Sequence, residues 1–235
     1  MSDVQEPEDE CGPDDASAEL VMVPLFPLPN VVLFPRAVLP LHIFEERYKA
    51  MTSHALEGDR QIAMALLQPG WEKHYYGRPA IEPVVCVGTI LSHEKLPDGK
   101  YNFLLQGTTR ARIVREMCCS EPYRLARVAP LAEVPAEANF LADARRRMTE
   151  AFTDGPFAMT AMGRQFLRLL DTPLTTANLA DLIAFSFLDD VPLKQSLLAE
   201  ADEARRITQA LDALDEQRPV EISHSVRTFR RPGVN

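Results

Sequence analysis

Residues 21 to 51 read VMVPLFPLPNVVLFPRAVLPLHIFEERYKAM. The first 24 of them are apolar enough to suggest a membrane span, yet prolines stand at 24, 27, 29, 35 and 40. That many prolines remove amide donors and clash with a continuous helix, and lipid would leave the freed carbonyls without partners. Asn30, Arg36 and His42 add further cost in a bilayer. Between the prolines lie runs of five residues or fewer, such as NVVLF and RAVL. These are too short for helices and suit bent strands, with proline at edges and bulges. Residues 20 to 43 are therefore expected to form irregular β-structure lining a core. After Pro40 the period changes: Phe44, Tyr48, Met51 and Ala55 recur at helical spacing, with Glu45 and Glu46 at the positive first turn and Gly58 at the far end. The pattern predicts an amphipathic helix over about residues 44 to 57.

Upstream of this join, residues 1 to 19 hold eight acids (Asp3, Glu6, Glu8, Asp9, Glu10, Asp14, Asp15, Glu19) and no Lys or Arg. The chain's formal net charge of -9 is therefore largely a property of this tail. With almost nothing large and apolar to bury, the tail is expected to be a disordered, solubilising extension. It has neither the basic start nor the cleavage pattern of a secretory signal. Cys11, Cys86, Cys118 and Cys119 form no C-x-x-C pair, and adjacent Cys118 and Cys119 would close only a strained ring. A disulfide scaffold or a zinc site is not expected, and the reducing cytoplasm is the expected compartment.

Downstream, QIAMALLQPG (61 to 70) is apolar on both alternating faces and reads as a strand covered on two sides. VVCVGTILSHEKL and YNFLLQ flank PDGK, whose Asp98-Gly99 suits a tight hairpin. TTRARIVREM and YRLARVAPL read as further strands with Arg alternating on a solvated outer face. From about residue 136 the pattern is helical, with breaks at TDGPF, LLDTPLTT and LDDVP that give roughly four helices. The last is read as one long helix on Leu193, Leu197, Ala201, Ala204, Ile207, Leu211 and Leu214. The RRR run at 145 to 147 reads as helix surface. The resulting division is an acidic tail (1–19), a β-rich lobe (20–131), a helical bundle (132–218) and a short basic C-terminal tail (219–235).

Catalytic signatures are missing. There is no phosphate-binding G-x-x-x-x-G-K-[ST] loop, no G-x-S-x-G elbow and no H-E-x-x-H helix, and His42, His54, His74, His93 and His224 are scattered. Ser92-His93-Glu94 are neighbours on one strand, so they alternate faces and cannot form a triad. Arg110, Arg112, Arg115, Arg124 and Arg127 would make a basic sheet face, but the chain is acidic, which argues against nucleic-acid binding.

The opening stretch closely resembles the signature of the Lon protease N-terminal, substrate-binding domain family: an L-F-P-L repeat, V-V-L-F-P, then L-P-L-H-I-F-E-x-R-Y. CVGTI, Gly99 in the hairpin, LLQGTTRARI, PYRLARV and the closing LADLIAFSFLDDVPLKQSLLAEADEARRITQAL follow in the family's order. One departure is Ala111, where the family pattern commonly has Phe. The resemblance covers about residues 20 to 215. It implies an α+β chain, with a PUA-like β-rich lobe (bent sheets or a pseudo-barrel with one helix) followed by a helical bundle. It also implies a non-catalytic protein-binding module in protein quality control, without the family's ATPase and protease domains, using no cofactor and no metal. Its expected partners are unfolded or tagged client segments, with a protease or chaperone downstream. An RNA-binding PUA-like protein and a cryptic hydrolase are the alternatives. The expected contact residues are His42, Phe44, Glu45, Glu46, Arg47 and Tyr48 at the sheet-to-helix join, with Arg110, Arg112 and Arg115 as the alternative surface. Strand and helix periodicity alone would place Phe26, Phe34 and also Phe44 in the core.

Overall fold

A computed structural model describes residues 20–75 and 77–217; the two expected tails, 1–19 and 219–235, lie outside the described residues. Six strands are β1 (Val21–Leu28), β2 (Val38–Ile43), β3 (Gln61–Leu66), β4 (Val84–Lys95), β5 (Tyr101–Met117) and β6 (Arg124–Pro130). Six helices are α1 (Glu46–Glu57), α2 (Ala138–Thr153), α3 (Ala161–Leu170), α4 (Thr176–Phe187), α5 (Val191–Ala199) and α6 (Glu203–Glu216), with a short 3₁₀ turn at Trp71–His74.

The strands form one mixed sheet in the order β2-β5-β4-β3-β1-β6. The far half of β5 also pairs with β6, so five strands close on themselves and β2 extends the near half of β5. Only β1 and β3 run parallel. Small residues fill the closed ring: Val23, Leu25, Ala63, Ala65, Val85, Val87, Ala111, Ala126 and Val128 form one buried cluster, one side of each strand. Ala111, the departure noted above, is 1% exposed in that cluster, where a narrow interior suits a methyl group. The other side of β3 and β4 joins a second core that runs through α1 into the helices, with Phe26, Phe34, Ile62, Met64, Cys86, Phe152 and Ile183 among its members.

The prolines of the opening stretch all stand where a ladder is incomplete. Strand β1 changes partners along its length, pairing with β6 over Val21–Leu25 and with β3 over Leu25–Leu28. Pro24 precedes the β3 pairing and Pro27 lies past the β6 pairing, so each has a side on which no amide is required. Pro29 and Pro35 fall in the coil before β2, and Pro40 lies on that edge strand. The coil is pinned to β5: Arg36 N donates to Gly107 O at 2.8 Å and Gly107 N to Ala37 O at 2.9 Å. A Cβ on Gly107 would sit 2.1 Å from Phe34 O, so only glycine admits this crossing.

Several elements differ from the sequence reading. Helix α1 starts at Glu46, two residues later than the periodicity placed it, with Glu45 at the N-cap. YNFLLQ and TTRARIVREM are one continuous strand, β5, rather than two. The bundle has five helices, because the long final helix is broken. Asp202 accepts from Arg205 N and starts α6, while Val134 N donates to Ala201 O and Glu203 N to Val134 O. The break thus lends its backbone to the 131–137 linker, a tertiary demand that apolar periodicity does not register. Arg145 is not free helix surface; it donates to Leu174 O at 2.9 Å and to the carbonyls of Leu170 and Thr172, closing the end of α3. Thr160, Thr175 and Asp190 cap α3, α4 and α5 through their side chains; Thr175 and Asp190 stand at sequence breaks, and Thr160 three residues past the TDGPF break.

The arginines of β5 and β6 do not all face solvent. Arg110 is 4% exposed and contacts Asp181 on α4 and, at 3.1 Å, Glu133 of the linker. Arg206 of α6 approaches the same Asp181 at 3.3 Å and donates to Glu200 O at 2.9 Å. Burial pushes the Asp181 carboxyl above its ordinary value against the pull of Arg110 and Arg206. This buried cluster stitches barrel, linker and bundle together. Among the described residues no helix is long and apolar enough to cross a membrane.

Candidate functional site

A cleft of ≈280 Å³ opens where the first turn of α1, the end of β1, Tyr75 with residues 77–79 and the β5–β6 connection meet. Its walls are Pro27, Leu67, Pro79 and Pro122 on the apolar side and Tyr48, Tyr75 and Tyr123 as rings, with Arg47, Arg78, Arg124, Glu121 and Gly77 completing it.

The α1 start supplies the centre of this site. Because Glu45 is the N-cap yet makes no capping hydrogen bond, its carboxylate is free for side-chain partners. It receives Arg47 Nε at 3.2 Å and the Tyr75 hydroxyl at 2.7 Å. Arg47 lies 4.5 Å from the Tyr48 ring centroid and 5.0 Å from that of Tyr75, a guanidinium held between two aromatic faces. Burial and the hydrogen bond to Glu45 push the Tyr75 phenol up to about 12. Burial likewise raises Tyr48, whose ring stacks on Phe26 at 4.5 Å. Both phenols therefore stay protonated across the neutral range and can donate.

The opposite wall is built from the β5–β6 connection. Arg124 donates through Nε to Glu116 Oε2 at 2.8 Å and through Nη1 to Pro79 O at 2.7 Å, which ties residues 77–79 to the barrel. The Tyr123 hydroxyl meets His54 Nδ1 of α1, and Glu121 Oε2 lies 3.9 Å from the same nitrogen. The arrangement is a slot lined by aromatic rings, prolines and three arginines, of which Arg124 is buried. It contains no nucleophile with an adjacent base, and among the described residues no group of three potential metal ligands is present.

Of the residues expected at the join, Arg47 and the largely buried Tyr48 line this cleft, and Glu45 stands behind them, bonded to Arg47 and Tyr75. His42 is exposed on β2 and pairs with Asn102 Oδ1 at 2.7 Å, outside the cleft lining. Phe44 is half-buried beside it, ring centroids 6.1 Å apart. Glu46 is exposed and bound to Lys49 at 2.6 Å. Of the alternative surface, Arg112 and Arg115 are exposed, but Arg110 is consumed in the buried cluster and cannot serve it. Tyr75, Arg78 and Tyr123 escaped the sequence reading, and Arg124 was read only as part of a basic sheet face. Their signal was present in two short aromatic and arginine runs, YYGRP at 75–79 and PYR at 122–124.

A family model described as the ATP-dependent protease La (LON) substrate-binding domain matches residues 22–216. The chain is 30% identical over 202 residues to a Lon protease of Trichlorobacter lovleyi, covering 82% of this chain and 24% of that protein. It is also 30% identical over 218 residues to Lon protease 2 of Herpetosiphon aurantiacus, covering 91% and 26%. It thus spans about a quarter of the length of these curated relatives. Its fold is similar to the N-terminal domain of a Mycobacterium avium complex Lon protease, with a TM-score of 0.65 at 16% identity over 83% of this chain and 99% of that one. It is also similar to a Lon N-terminal domain protein of Xanthomonas campestris, with a TM-score of 0.58 at 22% identity over 82% and 98%.

Proposed function

The chain belongs to the Lon substrate-binding domain family, and on that premise we propose that it is a non-catalytic recognition module. It binds unfolded or tagged protein segments in the cytoplasm and acts as an adaptor that presents them to a protease or chaperone. The barrel corresponds to a PUA-like lobe, residues 20–131, and the helical bundle, residues 132–218, is the chain's second lobe. The observation that carries the reading is the cleft, in which Arg47 and Tyr48 of the family's opening signature meet Tyr75 and Tyr123 against a proline and leucine wall. Extended segments lack fixed structure of their own, so their recognition relies on backbone-tolerant apolar and aromatic contact with a few polar anchors.

The test is titration of a fluorescently labelled, reduced and carboxymethylated protein, followed by anisotropy. Tyr75→Ala and Arg47→Ala remove one side of the slot and are expected to weaken binding by at least about fivefold, roughly 1 kcal/mol of contact. Arg146→Glu is the control, since Arg146 is exposed on α2 with only surface ion pairs. Thermal melts of each variant separate lost contact from lost fold. Equal affinities in folded variants would move the site away from the cleft, toward the exposed Arg112 and Arg115.

A further inference from the structure

The polar groups around the cleft balance one another except at two points. Arg47 is matched by Glu45 at 3.1 Å, and Arg124 is matched by Glu116. Glu121 faces His54 at 3.9 Å. Arg78 has no carboxylate partner among the described residues; its guanidinium makes only a long contact, Nη1 to Met117 O at 3.5 Å. The second point is Tyr48. Its ring is fixed by Phe26 and by the Arg47 guanidinium, it lines the cleft, and its hydroxyl makes no hydrogen bond among the described residues. The ring is confined, but the hydroxyl is not a fully buried atom: it opens to solvent at the cleft with no protein acceptor among the described residues.

We propose that the cleft takes a carboxylate of the bound segment, with Arg78 supplying the charge and the Tyr48 hydroxyl a directed hydrogen bond, while the segment's apolar atoms lie on the proline and tyrosine walls. This rests on the cleft being the segment-binding site. Charge-assisted hydrogen bonds from a guanidinium to a carboxylate are short and directional, and a phenol adds a second donor to the same group. Among the described residues that line the cleft, Arg78, which is exposed, is the one arginine without a carboxylate partner, and a single positive charge matches a monoanion better than a dianionic phosphate. A cleft of ≈280 Å³ admits a residue-sized group, which is the end of a chain or one acidic side chain.

Four labelled dodecapeptides of one apolar-rich sequence distinguish these two sources: a mid-chain Glu with a free C-terminus, the same Glu with an amidated terminus, a mid-chain Gln with a free terminus, and Gln with an amide. The full-length protein is titrated with each at low ionic strength. At least one acidic peptide is expected to bind at least about fivefold more tightly than the doubly neutral one, and whichever carboxylate carries the gain identifies the source. Arg78→Gln is expected to abolish that gain and Tyr48→Phe to reduce it, so that the ratio of acidic-peptide to neutral-peptide affinity falls toward one in the first and part of the way in the second. Tyr48→Phe keeps the ring, so its melt should match that of the parent. Equal binding of all four peptides overturns the carboxylate proposal and leaves segment binding standing. Binding of none of them overturns both. A single-stranded RNA oligomer that outcompetes the acidic peptide, and does so through Arg78, also overturns it.

Discussion

Asp181 is 1% exposed and stands between two guanidiniums, Arg110 from β5 and Arg206 from α6. A buried ion cluster contributes little net stability compared with a well-packed apolar set, but removing its central member strands the remaining charges. Asp181→Ala is expected to lose about 3–5 kcal/mol in urea unfolding. A loss under about 1 kcal/mol would mean that water reaches the two arginines. Cys86 offers a pH test at the same scale. Burial pushes its thiol up from 9.0 to about 12. Between those values the unfolded chain has released the proton and the folded chain has kept it, so the unfolded state binds fewer protons and stability falls as pH rises. For one group the slope is at most about 1.4 kcal/mol per pH unit. Stability measured from pH 9 to 11 should therefore decline less steeply in Cys86→Ala than in the parent. At pH 8 the same burial should protect Cys86 from iodoacetamide while exposed Cys118 reacts, which peptide mass spectrometry resolves.

At the scale of elements, the opening stretch works because each proline meets a missing ladder bond and because Gly107 lets the coil cross β5. Gly107→Ala should be among the most damaging small substitutions in the chain, since the new methyl would meet Phe34 O at 2.1 Å and neither backbone can retreat without breaking the two hydrogen bonds between them. A melt lowered by only a degree or two would show that the coil can lift off. Strands, the hairpin at Asp98-Gly99 and most helix starts were legible in the sequence because their causes are local: alternation, turn chemistry and capping residues. The break at Asp202 and the burial of Arg110 were not, because the linker and α4 that cause them lie far away in the chain. The cleft was half legible for the same reason. Glu45, Arg47 and Tyr48 belong to one recognisable stretch, whereas Tyr75, Arg78 and Tyr123 join them only through the closure of the barrel.

On the scale of the whole molecule, strands precede Leu131 and helices α2 to α6 follow it, yet the physical divide is not at that point. One apolar core runs from Phe26, Met64 and Cys86 in the sheet to Phe187, Leu197 and Leu211 in the helices. Gln195 of α5 donates to Val84 O of β4 at 2.9 Å, and the Arg110–Asp181–Arg206 cluster crosses the same boundary. Separating the two parts would expose Val84 and Cys86, which are 2% and 0% exposed, and leave Arg110 buried without its carboxylate. The two lobes are therefore expected to unfold in a single transition, with calorimetric and van't Hoff enthalpies equal. A fragment of residues 20–131 on its own should lack the cooperative melt of the full chain, and adding residues 132–218 in trans should restore it in part. Two resolved transitions, or an isolated β fragment with a sharp melt of its own, would show that the barrel's small-residue core of Val23, Ala63, Val85 and Ala126 is sufficient by itself. In that case the cluster around Asp181 would serve to orient the helices rather than to hold the barrel together.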